Sequence, residues 1–270
     1  MRQQLKNKRA LATGVGMQFV VMPMLGYLAV ALFPERLAKP MGIALLVVTA
    51  SPGGSYSNWW CSTFNADLAL SVAMTTVSSL LSIALLPMNL FLYTFLAYGN
   101  KGESSVLQAL DFETIFITLG IVLSAILLGL LAGYYQDTPS FHKNANHIGS
   151  ICGLLLVIFS IALSSGLSGA ETKLWNQEWP FYFAVLLPCM VGLALANLVS
   201  RSFKLSNPET VAISIECCYQ NTGIATSVAI TMFSNPEERA QAVAVPLLYG
   251  IVEAVLIGLY CIYAWKMGVS

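Results

Sequence analysis

The chain has 270 residues, 57% of them hydrophobic and only 10% charged, and its 13 basic and 13 acidic residues cancel to a net charge of zero. A soluble domain carries about 25% charged residues, so the composition excludes a water-soluble fold that hides its apolar surface in a core, and the charge balance offers nothing to attract nucleic acid. It predicts an all-α polytopic membrane protein in which lipid covers much of the apolar surface.

The N-terminal MRQQLKNKRA is basic and precedes an apolar run from Leu11 to Phe33. That run is too long for the apolar region of a signal peptide, and it ends in no small-residue cleavage site. A spanning helix needs about 20 mainly apolar residues. About eight such segments follow one another, over 10–33, 38–65 (interrupted), 68–98, 112–135, 148–168, 179–200, 208–233 (interrupted) and 241–265. Prolines 23, 87, 188 and 246 fall inside them, as membrane helices tolerate when neighbours satisfy the freed backbone groups. If the N-terminus is cytoplasmic, the inner side carries Arg2, Lys6, Lys8, Arg9, Lys143, Arg201, Lys204 and Lys266, against Arg36, Lys39, Lys101, Lys173 and Arg239 outside. The excess of positive charge inside favours this orientation, with both termini cytoplasmic. YGNKGESSVLQALDFE (98–113) is then an external loop and YQDTPSFHKNANH (135–147) an internal one.

Both interrupted segments are unusual for a bilayer. SPGGSYSNWWCSTFN (51–65) holds a proline, two glycines, serines and an asparagine; SIECCYQNTG (214–223) places Glu216 well inside a span. Laid over each other, both read S-x-x-x-x-Y-x-N, through Ser51, Tyr56 and Asn58 in the first and Ser214, Tyr219 and Asn221 in the second. Paired interrupted helices in the two halves of a transporter point to its binding site, because unwinding frees carbonyl oxygens for a cation and exposes half-helix N-termini to an anion. The plainer alternatives are an ordinary loop at 51–58 and a Glu216 carboxyl satisfied by a neighbouring helix. Intramembrane carboxylates are functional by default.

Other residues carry less. Glu253, in PLLYGIVEAVLIG, is a second intramembrane carboxyl, suited either to line a substrate cavity or take a proton, or to a hydrogen bond across helices. His142 and His147, five apart in the polar loop, lack the further ligands a metal site needs. Gly129 and Gly133 form a GxxxG that close helix packing explains. Trp59 and Trp60 suit either a cover over the first break or an interfacial belt. Cys61, Cys152, Cys189, Cys217, Cys218 and Cys261 show no paired spacing and read as packing residues. There is no nucleophile–base constellation and no phosphate loop, so no enzyme activity and no organic cofactor is expected.

At the two breaks the sequence resembles the bile acid:sodium symporter family. Its PGGxxSN motif is matched by Pro52-Gly53-Gly54-Ser55-Tyr56-Ser57-Asn58, its E-x-x-x-Q-N motif by Glu216 to Asn221, and its QFxxMP pattern by Gln18 to Pro23. NADLALSVAMTT (65–76) is similar to the helix entry after the family's first crossover, and the resemblance covers nearly the whole chain. It implies an inverted-repeat transporter fold with two broken, crossing helices, as a single transmembrane domain over 1–270. Core helices lie at 10–98 and 179–265, and a panel at 112–168 rocks against the core. It implies two Na+ as coupling ions. One site would use Ser57, Asn58, Ser71, Thr75 and Glu216; the other would use Glu216, Gln220, Gln18 and the backbone carbonyls of Cys217 and Tyr219. Asn221, Asn58 and Glu253 are candidates for contact with an organic anion.

Two features depart from the family pattern. Cys217, Cys218 and Tyr219 replace small and aliphatic residues, which bears on the substrate. Family members usually have ten helices, and this chain would begin at the third, so a homodimer that replaces the missing panel helices is one expectation. The leading reading is a sodium-coupled symporter of an organic anion, either a bile-acid-like sterol conjugate or a smaller carboxylate. The setting is a multi-pass protein of the plasma membrane or an organelle envelope. The alternatives are a non-transporting membrane scaffold or regulator, and a proton-coupled anion carrier using Glu216 and Glu253.

Overall fold

A computed structural model of the chain describes residues 7–54, 56–99, 112–136, 138–166 and 176–268. Among these residues the regular secondary structure is helical, and the breaks meet in one isolated backbone bridge. In chain order the helices are α1 (Lys8–Leu32), α2 (Lys39–Ala50), α3 (Ser57–Thr63), α4 (Leu68–Tyr98), α5 (Phe112–Tyr135), α6 (Pro139–Gly166), α7 (Trp179–Ser202), α8 (Asn207–Cys218), α9 (Thr222–Met232) and α10 (Pro236–Lys266). Among the described residues α1, α4, α7 and α10 are long and apolar enough to cross a membrane. Their outward faces carry Val20, Met88, Leu198 and Leu259, all exposed, as lipid-facing side chains must be. The chain is a multi-pass membrane protein.

Polar residues start these helices. Asn7, Asp67, Asn221 and Asn235 each accept a hydrogen bond from a backbone N–H in the first turn of α1, α4, α9 and α10. Ser206 and Glu209 form a capping box at α8. Thr138 and Pro139 start α6 in the same way, the Thr138 hydroxyl accepting from the Phe141 N–H at 3.3 Å. This overturns the expected internal loop over 135–147: the polar stretch from residue 139 is the first part of a helix, and His142 and His147 ride on it. Most of the expected external loop at 98–113 lies outside the described residues.

Both expected interruptions are present. α2 stops at Ala50 and α3 begins at Ser57; α8 stops at Cys218 and α9 begins at Thr222. Every residue of α2 from Pro40 to Ala50 is buried, as is every residue of α8 from Thr210 to Cys218. A helix apolar and buried all round is a core helix rather than a surface one. α2 is enclosed by α1, α4, α9 and α10, and α8 by α1, α3, α4, α7 and α10. The two half-helices run into the centre of the molecule from different parts of the chain, and their broken ends meet there.

Candidate functional site: the crossing of the two breaks

The meeting point is a backbone pairing. Gly53 and Gln220 face each other as an isolated antiparallel bridge. The Gly54 N–H donates to the Tyr219 carbonyl at 2.8 Å, and the Asn221 N–H donates to the Pro52 carbonyl at 2.9 Å. Each unwound segment thereby satisfies backbone groups of the other, as buried backbone must be satisfied in a bilayer. The glycines are set by proximity. A Cβ on Gly54 would lie 2.8 Å from the Gln220 carbonyl oxygen, and one on Gly53 would lie 2.8 Å from Glu216 Oε1.

This register differs from the S-x-x-x-x-Y-x-N overlay. Ser51 caps the end of α2, whereas Ser214 lies inside α8 with its hydroxyl turned back to the Thr210 carbonyl at 2.7 Å. Asn58 sits in the first turn of α3, whereas Asn221 is the N-cap of α9. The helix ends set the correspondence, and they match Ser51 with Tyr219. The shared letters do not mark equivalent places.

Glu216, in the last turn of α8 and 1% exposed, stands in a cluster of oxygens. Thr75 Oγ1 donates to its Oε1 at 2.5 Å and Ser71 Oγ lies 3.0 Å from its Oε2. Ser71 and Thr75 are one turn apart on α4, so they present their hydroxyls to the same side. Ser71 Oγ is also 2.8 Å from Asn58 Oδ1, and the Asn58 amide reaches Thr75 Oγ1 at 3.4 Å. The Ser57 hydroxyl donates to the Gly54 carbonyl at 2.7 Å and also reaches the Glu216 carboxyl. All five residues of the first expected set are therefore in one hydrogen-bonded cluster.

Of the second expected set, Gln18, Gln220 and the Cys217 carbonyl are joined by hydrogen bonds. Gln18 donates through Nε2 to Gln220 Oε1 and to the Ser51 carbonyl, both at 2.7 Å. Gln220 Nε2 donates to the Cys217 carbonyl at 2.6 Å, and the Tyr219 carbonyl accepts from Gly54. Gln18 is 2% exposed, yet its Oε1 is buried with no hydrogen-bond partner. An unpaired buried amide oxygen costs about 1–3 kcal/mol, and it leaves Gln18 with an unused acceptor.

Of the anion-contact candidates, Asn221 uses its side chain to cap α9, accepting from the Ile224 N–H at 3.1 Å. Glu253 is wholly buried on α10. Its Oε2 accepts from the Gln220 N–H at 2.9 Å, and its Oε1 has no partner. Glu216 and Glu253 are the only buried charged side chains among the described residues, so the centre of the molecule carries two carboxyls and no buried Lys or Arg. No group of three His, Cys, Asp or Glu side chains placed to hold a metal occurs among those residues. Five cysteines are buried and Cys152 is exposed; all six are free thiols, with Cys189 and Cys218 in contact at 3.0 Å.

Two contributors stood in neither expected set. Ser51 supplies a carbonyl to Gln18, which its place directly after the apolar run of α2 foreshadows. Asn89 on α4 donates to the Phe19 carbonyl at 2.9 Å. An amide in the middle of LLPMNLFL was the signal for it.

Comparison with known proteins gives a family and relatives for this chain. The family model described as "Sodium Bile acid symporter family" matches residues 1–172. The chain is 27% identical over 272 aligned positions to the "Sodium-dependent organic anion transporter" of Bos taurus, covering 97% of this chain and 66% of that protein. It is 27% identical over 268 positions to the "Ileal sodium/bile acid cotransporter" of Mus musculus, covering 96% and 72%. It is 28% identical over 266 positions to the "Probable sodium/metabolite cotransporter BASS2, chloroplastic" of Oryza sativa subsp. japonica, covering 98% and 58%. The chain thus spans between about three fifths and three quarters of the length of these relatives.

Proposed function

This chain belongs to the sodium bile acid symporter family, and on that premise we propose that it is a sodium-coupled symporter of an organic anion, working by alternating access. The observation that carries the reading is the Glu216 cluster at the crossing. A buried carboxylate is ringed by Ser57, Asn58, Ser71 and Thr75, with Gln18, Gln220 and the Cys217 and Tyr219 carbonyls on the adjoining side. These are hard oxygen ligands of the kind that unwound transporter helices offer to sodium. Hydroxyls that donate to the carboxylate turn their lone pairs toward a cation when one enters, and the unpartnered Gln18 Oε1 gains a partner. Two sodium ions sharing Glu216 hold α2–α3 and α8–α9 in register, because their ligands come from both breaks.

The anion binds on this assembled crossing, with Asn58, Asn221 and Glu253 as contact candidates; the N-termini of α3 and α9 at the breaks offer favourable dipole ends. The relatives' printed names span bile acids, organic anions and metabolites, and the substrate class is an organic anion of this range, a sterol conjugate or a smaller carboxylate. The architecture is the inverted-repeat fold of about eight spans in one transmembrane domain, with a core (10–98 and 179–265) and a panel (112–168). Both termini are cytoplasmic, in the plasma membrane or an organelle envelope. Each net charge carried across adds about 2.3 kcal/mol per 100 mV of membrane potential.

The test needs no known substrate. The purified chain is unfolded thermally in detergent in sodium chloride and in potassium or choline chloride at equal ionic strength. A ligand that binds only the folded protein stabilises it by RT ln(1 + [L]/Kd). The expected result is a sodium-specific rise in Tm. Equal curves in all salts overturn the coupling and bring the non-transporting scaffold forward. A second reading, proton coupling, rests on the unpartnered oxygen of buried Glu253; uptake that follows a pH gradient in the absence of sodium selects it.

A further inference from the structure

Gln18 is held by an irregular piece of α1. Residues Met17–Val21 form a π-turn, in which the Met22 N–H reaches back five residues to the Met17 carbonyl. Such turns insert one extra residue into a helix and recur at functional sites. The sequence supplies a reason for it here: Pro23 has no N–H to give the Phe19 carbonyl four residues earlier. The Phe19 carbonyl is instead taken by the side chain of Asn89, half-buried on α4, at 2.9 Å. Directly beside Phe19, the Gln18 side chain runs to the Ser51 carbonyl and Gln220 Oε1 at the crossing.

We infer that Asn89 is a positioning residue for the second cation site, holding the π-turn of α1 so that Gln18 faces the crossing. The inference rests on the sodium-coupled reading above and adds a residue from outside its ligand sets. One residue of helical register is a rotation of about 100° around the axis, so a turn that relaxes from π to α moves Gln18 away from Gln220. Asn89 suits the task because a carboxamide is a neutral donor long enough to cross between helices. A serine there would turn its hydroxyl back to its own helix, at the Leu85 carbonyl.

The experiment is a sodium titration of thermal stability, run beside amide hydrogen exchange over residues 17–25. Asn89→Leu removes the donor at similar size. It is expected to raise the sodium concentration at half-maximal stabilisation about fivefold to tenfold, the loss of about 1–1.4 kcal/mol that one hydrogen bond represents. Exchange in the π-turn should rise with it. Asn89→Ser, a milder change that keeps the chain folded, is expected to move the midpoint in the same direction. Leu90→Ala, at a buried neighbouring position on α4, lowers Tm in every salt and leaves the sodium midpoint in place, which separates positioning from general packing. A wild-type sodium response that both Asn89 variants leave unchanged overturns this inference alone. Absence of any sodium response in the unaltered chain overturns the coupling reading and this inference with it.

Discussion

The first break brings Pro52, Gly53 and Gly54 to the crossing; the second brings Tyr219, Gln220 and Asn221. One side is nearly bare backbone and the other is rich in side chains. The difference is what lets the segments pair at all. Two unwound strands with full side chains on both could not approach to 2.8 Å while a carboxylate lies against them. Space given up at Gly53 and Gly54 is taken by the Glu216 carboxyl, the Tyr219 ring and the Gln220 carbonyl. At the pairing itself the first break therefore contributes room, and the second contributes the Glu216 charge and the bulk of Tyr219 and Gln220.

That division can be broken most severely at the charge. Glu216→Gln keeps the shape and removes the counter-charge, and it is expected to abolish the sodium-specific rise in Tm and all sodium-dependent uptake. Retained sodium-dependent uptake would sink the assignment. Next comes the room. Gly54→Ala sets a methyl 2.8 Å from a backbone oxygen that cannot step aside, and overpacking of this kind costs about 1–3 kcal/mol. The corresponding fall in Tm should appear in sodium and potassium alike. Gly53→Ala meets a side-chain oxygen first, so its effect should be smaller on Tm in potassium and larger on the sodium response.

The supporting hydroxyls sharpen the comparison at a lower level. Ser71→Ala and Thr75→Ala each remove one partner of a buried carboxylate, and hydrogen bonds to charged groups contribute about 1.5–3 kcal/mol. Each should weaken apparent sodium affinity by roughly tenfold or more, the equivalent of about 1.4 kcal/mol, with less effect on anion binding. Equal losses in sodium and anion titrations would count against the site. The smallest effect belongs to Tyr56, which is 55% exposed at the first break. Tyr56→Ala should stay within about 0.5 kcal/mol in an unfolding measurement, whereas Tyr219→Ala, on the side that carries the side chains, should not.

Much of this site could be read from the chain. Proline and paired glycines after an apolar run, and a glutamate inside another, are signals that need no third dimension, because a bilayer tolerates neither without a reason. The loop expected at 135–147 failed on a local signal: Thr138-Pro139 is a helix start at the head of a polar stretch. The S-x-x-x-x-Y-x-N overlay failed differently. It matched letters at a fixed offset, while the correspondence depends on where α2 and α8 actually stop.

By itself the sequence determined the medium and the elements. Its excess of apolar residues demands lipid, its run lengths define the helices, and its prolines and glycines place the breaks, since these are properties of neighbouring residues and of solvent. Only the tertiary structure decided which groups meet. That Gly53 pairs with Gln220, and that Asn89 takes the carbonyl left by Pro23, depend on contacts between residues 167 and 70 positions apart. Such contacts come from the packing of whole helices, and no local pattern in the chain encodes them.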